Sequence, residues 1–171
     1  MAESDGTASD VLLRLAGGPR RVTAFVEGFG VRGVRIVTSE AEMARGPRVQ
    51  YRNWAQPEEA VALLRAFHQG RGLSGPSREL LRGWMISTGT GMKRLRGLLP
   101  PGTEVAHKTG TSGTVGGRTA ATNDIGIMAL PDGRHLAIAV FVSDSRAGTE
   151  AREGVIAKIA RAAWDWATGA N

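Results

Sequence analysis

Apolar residues follow helical spacing through the first half of the chain and strand-like runs through the second. Over residues 7–17, Val11, Leu12 and Leu15 share one stripe, and Gly17-Gly18 ends the pattern. Pro19 then suits the first turn of a second helix, with Val22, Phe25, Val26 and Phe29 on its apolar side. Residues 30–56 show no period and hold Gly30, Gly33, Gly46 and Pro47, so they predict a long irregular segment of the kind that is usually functional or disordered. Pro57-Glu58-Glu59 opens a helix whose buried positions are Ala60, Val61, Leu64 and Phe67, closed by Gly70. Ser74 suits the cap of another, carrying Leu80, Leu81, Trp84 and Met85.

The pattern changes near residue 103. Thr103–Thr111, Asp124–Leu130 and Leu136–Val142 predict strands, and Pro131-Asp132-Gly133-Arg134 predicts a hairpin turn between the last two. Thr149 suits the cap of a long final helix with Val155, Ile156, Ile159, Ala163 and Trp166 on one face. The fold class is therefore α+β: a helical region, then antiparallel strands, then a helix packed on the sheet.

Composition narrows this little. At 171 residues the chain is long enough to bury about 70% of its unfolded surface as one domain. Glycine is abundant, 24 of 171, about twice ordinary usage, with no collagen-like period. Cysteine is absent, which excludes disulfides, thiolate metal sites and a cysteine nucleophile. No apolar run is long enough to span a bilayer. The opening Met1-Ala2-Glu3-Ser4-Asp5-Gly6 has no basic and apolar run, so no export signal is expected in these residues. The net charge of +6 is spread along the chain, with Lys93-Arg94-Leu95-Arg96 its only tight cluster. With a single Tyr there is no series of stacking platforms, so the charge argues for a solvated surface and an anion-binding Arg rather than a nucleic-acid partner.

Candidate chemistry lies in a few short segments. Lys108-Thr109-Gly110-Thr111-Ser112-Gly113 follows the apolar strand opening Val105-Ala106 and makes a cationic, donor-rich edge suited to an anionic, amide-containing ligand. The plain alternative is a strand end running into a glycine-rich turn. Ser4-Asp5-Gly6 precedes a helix and is either its cap or a hydroxyl that relays a proton in a cleft. Glu40-Ala41-Glu42-Met43 offers a loop carboxylate, either solvated or a general base on water. Arg94 is either a surface cation or a forked carboxylate ligand. His68, His107 and His135 have no metal spacing, and only His107 adjoins candidate chemistry.

In this order Ser-Asp-Gly, a loop Glu and Lys-Thr-Gly resemble the motif set of class A β-lactamases and penicillin-binding proteins. The segments Val49-Gln50-Tyr51-Arg52-Asn53-Trp54, Arg94–Pro100, Ala106–Gly113 and Thr119–Asp124 are similar to the PER and VEB branch of class A, and the resemblance covers nearly the whole chain. It implies a β-lactamase/D,D-peptidase-like fold, N-terminally incomplete. Residues 1–99 would form its mainly helical part with an Ω-like loop over about 34–54, and 100–171 the sheet and C-terminal helix. It implies that Ser4 shuttles a proton to the β-lactam nitrogen, that Glu40 rather than Glu42 activates the deacylating water, and that Lys108 and Thr109 position the substrate carboxylate. The Thr111 N–H would be an oxyanion donor, Arg94 would support the carboxylate site, and Asp5, Gly6, Gly110 and Ser112 would line the substrate. No metal or organic cofactor is implied. The substrate would be a β-lactam, and the family is usually monomeric and is exported to the periplasm or secreted.

Three departures qualify this. Gly6 stands where the motif usually has Asn, and Ala44 where the Ω loop usually offers Asn or His. No Ser anywhere is followed three residues later by Lys, the nearest imitation being Thr90-Gly91-Met92-Lys93. In the family that motif supplies the nucleophile and lies upstream of Ser-Asp-Asn, behind two strands of the sheet. The chain is therefore expected to match the later part of the domain, to leave a strand edge and an apolar helix site uncovered, and to lack hydrolase activity alone. A D,D-peptidase relative and a non-catalytic penicillin-binding or vestigial protein are the alternatives. The loop Glu argues against the peptidase, and the missing nucleophile favours the vestigial protein.

Overall fold

The computed structural model describes residues 2–170, which divide into two compact units, Ser4–Gly72 and the remainder. The first unit holds α1 (Gly6–Leu15), α2 (Pro19–Glu27), β1 (Val34–Arg35), α3 (Glu40–Met43), β2 (Trp54–Ala55) and α4 (Pro57–His68). Pro19 and Pro57 sit in the first turns of α2 and α4, where the missing N–H costs nothing. The segment that lacked a period is ordered by its neck. β1 and β2 pair antiparallel, Val34 against Ala55 and Arg35 against Trp54. Just inside, the Asn53 side chain accepts from the Val37 and Thr38 amides (2.8 and 3.0 Å) and donates to the Thr38 carbonyl (2.9 Å). The strands and α3 escape sequence patterning because they are too short to establish a period.

The second unit holds α5 (Gly75–Ile86), β3 (Val105–Thr111), β4 (Thr114–Val115), β5 (Arg118–Ala129), β6 (His135–Ser145) and α6 (Thr149–Thr168). β5 is the spine. Thr119 faces both Thr114 of β4 and Ser145 of β6, so β6 lies along one side of β5 while β3 and β4 share the other. All pairings are antiparallel. β5 begins at Arg118 rather than Asp124, and β6 runs to Ser145 rather than Val142. The added residues are largely polar, and the ladder uses their backbone whatever their side chains. In the β5–β6 turn, hydrogen bonds from the Arg134 backbone and guanidinium hold the Asp132 carboxyl below its ordinary range.

Register places Val105, Met128, Ile138 and Val140 on one face of the sheet, and there they pack with Leu95 and with Ile156, Ala160 and Trp164 of α6. Gly126 is required on that face: a Cβ there would lie 2.8 Å from both the Ala106 carbonyl oxygen and His107 Cβ. The buried stripe of α6 is Arg152, Ile156, Ala157, Ala160 and Trp164, and the expected face is corrected accordingly. Val155, Ile159 and Trp166 are exposed. The true stripe is masked in sequence because it begins with Arg152, whose buried guanidinium donates to Thr122 Oγ1 (2.9 Å), Thr149 Oγ1 (3.1 Å) and the Ala147 carbonyl. Thr149 is also not the cap: Gly148 is, and Thr149 is the first helical residue.

Much apolar surface stays in solvent. On α1 all of Val11, Leu12 and Leu15 are exposed, Leu15 at 76%, as are Phe25 of α2 and Leu80 and Trp84 of α5. Among the described residues no strand pairs with the outer side of β6 or of β3. Apolar faces of this kind bind hydrophobic dyes. The purified chain should therefore enhance and blue-shift ANS fluorescence under native conditions, whereas fluorescence equal to that with a compact control protein of similar size would contradict this packing.

Candidate active site

In the first unit, the turn ahead of α1 meets the start of α3. Ser4 holds a left-handed backbone, φ 51°, a conformation that costs a non-glycine residue about 1–3 kcal/mol and that the sequence did not foretell. Asp5 is the N-cap of α1, its carboxylate accepting from the Ala8 amide at 2.7 Å. Gly6 leaves space for Glu40: a Cβ at Gly6 would lie 3.3 Å from Glu40 Cβ and 3.4 Å from its Cγ. A side chain at this position would ask Glu40 to shift by only a few tenths of an ångström.

Glu40 is set by Asp10, a residue that sequence reasoning missed. From α1, Asp10 accepts the Glu40 amide at 2.7 Å and the Ala41 amide at 2.9 Å, a two-pronged clamp on the start of α3. Nothing in sequence separates Asp10 from an ordinary solvated acid on a helix, because its partners lie 30 and 31 residues away. Glu42 is committed elsewhere: its carboxylate accepts the Ser39 amide at 2.8 Å while Ser39 Oγ accepts the Glu42 amide at 3.2 Å, a reciprocal cap. Ala44 closes α3 through its amide to the Glu40 carbonyl at 3.0 Å. Asp5, Gly6, Thr7, Asp10, Glu40 and Ala41 contribute to the wall of an open cavity of about 440 Å³. Val11 and Arg14 complete that wall, so the cleft carries both signs of charge, and a carboxylate such as Glu40 in it suits handling of a proton or of a water.

In the second unit, the end of β3 is braced from below. Lys108 Nζ donates to the Thr109 carbonyl at 2.6 Å. Thr109 and Thr90 share a hydroxyl contact of 2.7 Å. Gly91, at φ 68°, is obligatory beside them, since a Cβ would fall 2.4 Å from Thr109 Cγ2. Arg94 is 5% exposed and so is no surface cation. Its Nη1 donates to the Gly110 and Asn123 carbonyls (3.2 and 2.8 Å), its Nη2 to Thr111 Oγ1 (2.7 Å) and its Nε to Glu153 of α6 (3.1 Å). Gly110 and Thr111 are exposed at the strand end. The Ser112 hydroxyl accepts the Ala121 amide at 2.9 Å, tying β3 to β5.

His107 lies on the opposite face of β3 from Lys108, fully buried, with Nδ1 3.0 Å from both oxygens of the equally buried Asp124. Asp124 also accepts the Leu95 amide at 3.3 Å, which ties the Arg94 turn to the sheet. Among the described residues, no group of three or more His, Asp or Glu side chains could hold a metal ion, and no helix is long and apolar enough to cross a membrane. Ser4, Asp5, Gly6 and Glu40 thus lie together in one unit, and Arg94, Lys108, Thr109, Gly110, Thr111 and Ser112 in the other.

Comparison with known proteins meets these features. The model of the beta-lactamase enzyme family matches residues 1–167. The chain is 46% identical to the extended-spectrum beta-lactamase PER-1 of Pseudomonas aeruginosa over 166 residues, 97% of this chain and 54% of that protein. To beta-lactamase VEB-1 of the same organism it is 39% identical, over 97% of this chain and 56% of that one. Among solved structures, the TLA-3 extended-spectrum beta-lactamase superposes with a TM-score of 0.96 at 47% identity, covering 98% of this chain and 61% of the other. A beta-lactamase from Chitinophaga pinensis DSM 2588 gives 0.94 at 49%, covering 97% and 62%. The chain spans about half the length of the curated relatives it matches.

The Asp10 clamp has a measurable consequence. Asp10→Ala frees two helix-start amides and should cost about 0.5–2 kcal/mol. Limited proteolysis should then cut within residues 36–53 several-fold faster than in the parent chain; an unchanged rate there would show that Asp10 does not hold the loop.

Proposed function

The chain belongs to the class A serine β-lactamase family, in the branch of PER-1 and VEB-1, and on that premise we propose that it carries the water-activating and carboxylate-binding parts of a β-lactam hydrolase. The observation that carries this reading is the end of β3, where the exposed Thr111, three residues beyond Lys108, is held through its hydroxyl by the buried Arg94. Such an edge suits the carboxylate that β-lactams bear beside the reactive amide.

In this reading the complete reaction is acylation of a serine by the β-lactam carbonyl, then hydrolysis of the acyl-enzyme by water. Ser4 passes a proton to the departing β-lactam nitrogen, and its left-handed backbone supports a hydroxyl held for a task. Glu40 takes the proton of the attacking water, with Asp10 fixing its backbone. Lys108 and Thr109 orient the carboxylate, and the Thr111 amide is one of the donors to the oxyanion. Asp5, Gly6, Gly110 and Ser112 shape the cleft. Ala44 in place of Asn or His removes one support for the hydrolytic water and lowers deacylation. No cofactor takes part, and an exported, monomeric protein fits the family.

No serine of this chain has a Lys three residues on, so the acylating pair of the family is missing from it. We therefore infer that the 171 residues alone do not hydrolyse β-lactams. That absence also favours a second reading, a penicillin-binding protein that does not turn over. With a chromogenic cephalosporin the purified chain should give no colour change above buffer. Turnover well above buffer, abolished by Ser4→Ala or Glu40→Ala, would overturn the inference of inactivity.

A further inference from the structure

The second unit leaves one long sheet edge open. Antiparallel strands turn alternate residues toward each neighbour. The Ser112 amide donates to the Ala121 carbonyl at 3.0 Å, so Ala121, Asn123, Ile125 and Ile127 of β5 turn toward β3. Their alternates meet Leu136, Ile138, Val140 and Val142 of β6, which leaves the amides and carbonyls of Ala137, Ala139 and Phe141 pointing outward. Among the described residues nothing pairs with them there. The outer edge of β3 differs, because its Val105 carbonyl accepts from Arg96 Nη2 (2.6 Å) and its His107 carbonyl from Thr88 Oγ1 (3.2 Å). Leu136–Val142 also has no charge and no proline, the devices that keep natural edges apart.

Helix α6 carries a second open feature on the same side. Val155, Ile159 and Trp166 are exposed, and with the exposed Ala162 they recur at coiled-coil spacing. At 3.6 residues per turn this stripe lies about half a turn around the helix from Glu153 and Arg161. Those two reach Arg94 and the Leu98 carbonyl, in the turn whose Arg96 covers the outer edge of β3. The stripe therefore faces the β6 side of the sheet. The helix returns along β6: Arg134, just before the strand, donates to the Ala167 carbonyl at 2.7 Å, and Arg152 donates to the Ala147 carbonyl just after it. The middle of the stripe thus lies over Ala139, the middle of the outward groups.

We propose that this edge and this stripe are one interface, and that its occupant is a second copy of the chain. A two-fold axis at Ala139 pairs the two β6 strands antiparallel and lays the two α6 helices side by side on one face of a continuous sheet. One operation then satisfies the outward backbone groups and covers the apolar stripe. A contact of this isologous kind closes at two copies. Charge fits the same direction: Lys158 and Asp165 both border the stripe, and antiparallel helices place Lys158 of each copy beside the partner's Asp165, which already holds Arg161. The 11 residues of β6 make a strip about 36 Å long, and the sheet and helix layers together are about 20 Å deep. That gives about 700 Å² per copy, close to the roughly 800 Å² of a stable interface. The pairing departs from the monomeric state usual in the family and is independent of the chemistry at the end of β3.

Analytical ultracentrifugation of the full chain over about 1–100 µM, with amide hydrogen exchange on the same samples, tests this. The chain should reach twice its own mass and no more. Ile159→Glu with Trp166→Glu changes only exposed side chains and should raise the dissociation constant at least about tenfold. Lys158→Asp should weaken the dimer, and adding Asp165→Lys should restore it to within about threefold of the parent. The Ala137, Ala139 and Phe141 amides should be protected in the parent dimer and exchange at least about tenfold faster in the Ile159→Glu/Trp166→Glu variant. The Ile138 and Val140 amides, which face β5, should stay protected in both and so report that the variant is folded. A monomer at every concentration, growth beyond two copies, or a dimer whose Ala137, Ala139 and Phe141 amides exchange freely overturns the proposal.

Discussion

A buried guanidinium holds the second unit to its purpose. Arg94 arises from the turn after α5, crosses beneath the end of β3, and satisfies carbonyls on two neighbouring strands at once. Its charge is balanced by Glu153 from α6. Burying such a charge is expensive unless each donor finds a partner, and here the partners come from β3, β5 and the last helix. The strand end, the sheet centre and α6 therefore cannot shift independently without breaking a charge-assisted bond. Gly91 permits this by keeping a Cβ away from Thr109, and the Asp124–Leu95 bond anchors the turn from its other end.

The first unit meets a similar demand with a carboxylate. Asp10 gives both oxygens to the amides that open α3 and so fixes where Glu40 begins. Asn53 supplies the backbone partners that the neck of the loop would otherwise lack. In each unit a short conspicuous segment, Glu40–Met43 or Lys108–Thr111, is held by a charged side chain from elsewhere in the chain.

How much could be read in advance follows from the range of the interactions. The helices from Pro57 and Ser74 carry local signals, a proline in the first turn and a serine cap that accepts the Ser77 amide, and these are visible within a few residues. Lys108–Thr111 is legible because the motif is contiguous. Asp10 and Glu153 are not, because each acts on a partner distant in sequence and each resembles an ordinary polar residue where it stands. The face of α6 was misjudged for a related reason: two apolar stripes compete along it, and the buried one includes Arg152, whose partners are on β5 and in the preceding turn. Val11, Leu12 and Leu15 of α1 and Leu80 and Trp84 of α5 fall on apolar stripes and yet are exposed, whereas Met85 of α5 is buried as its spacing predicts. Periodicity reports what a helix could bury, not what is present to cover it.

No serine of the chain is followed three residues later by Lys, the pairing that the class A family uses for acylation. Intact-protein mass spectrometry after incubation with benzylpenicillin tests this most directly. The unmodified mass is expected at every time point. A species heavier by one whole penicillin, mapped to any serine of the chain, would contradict it.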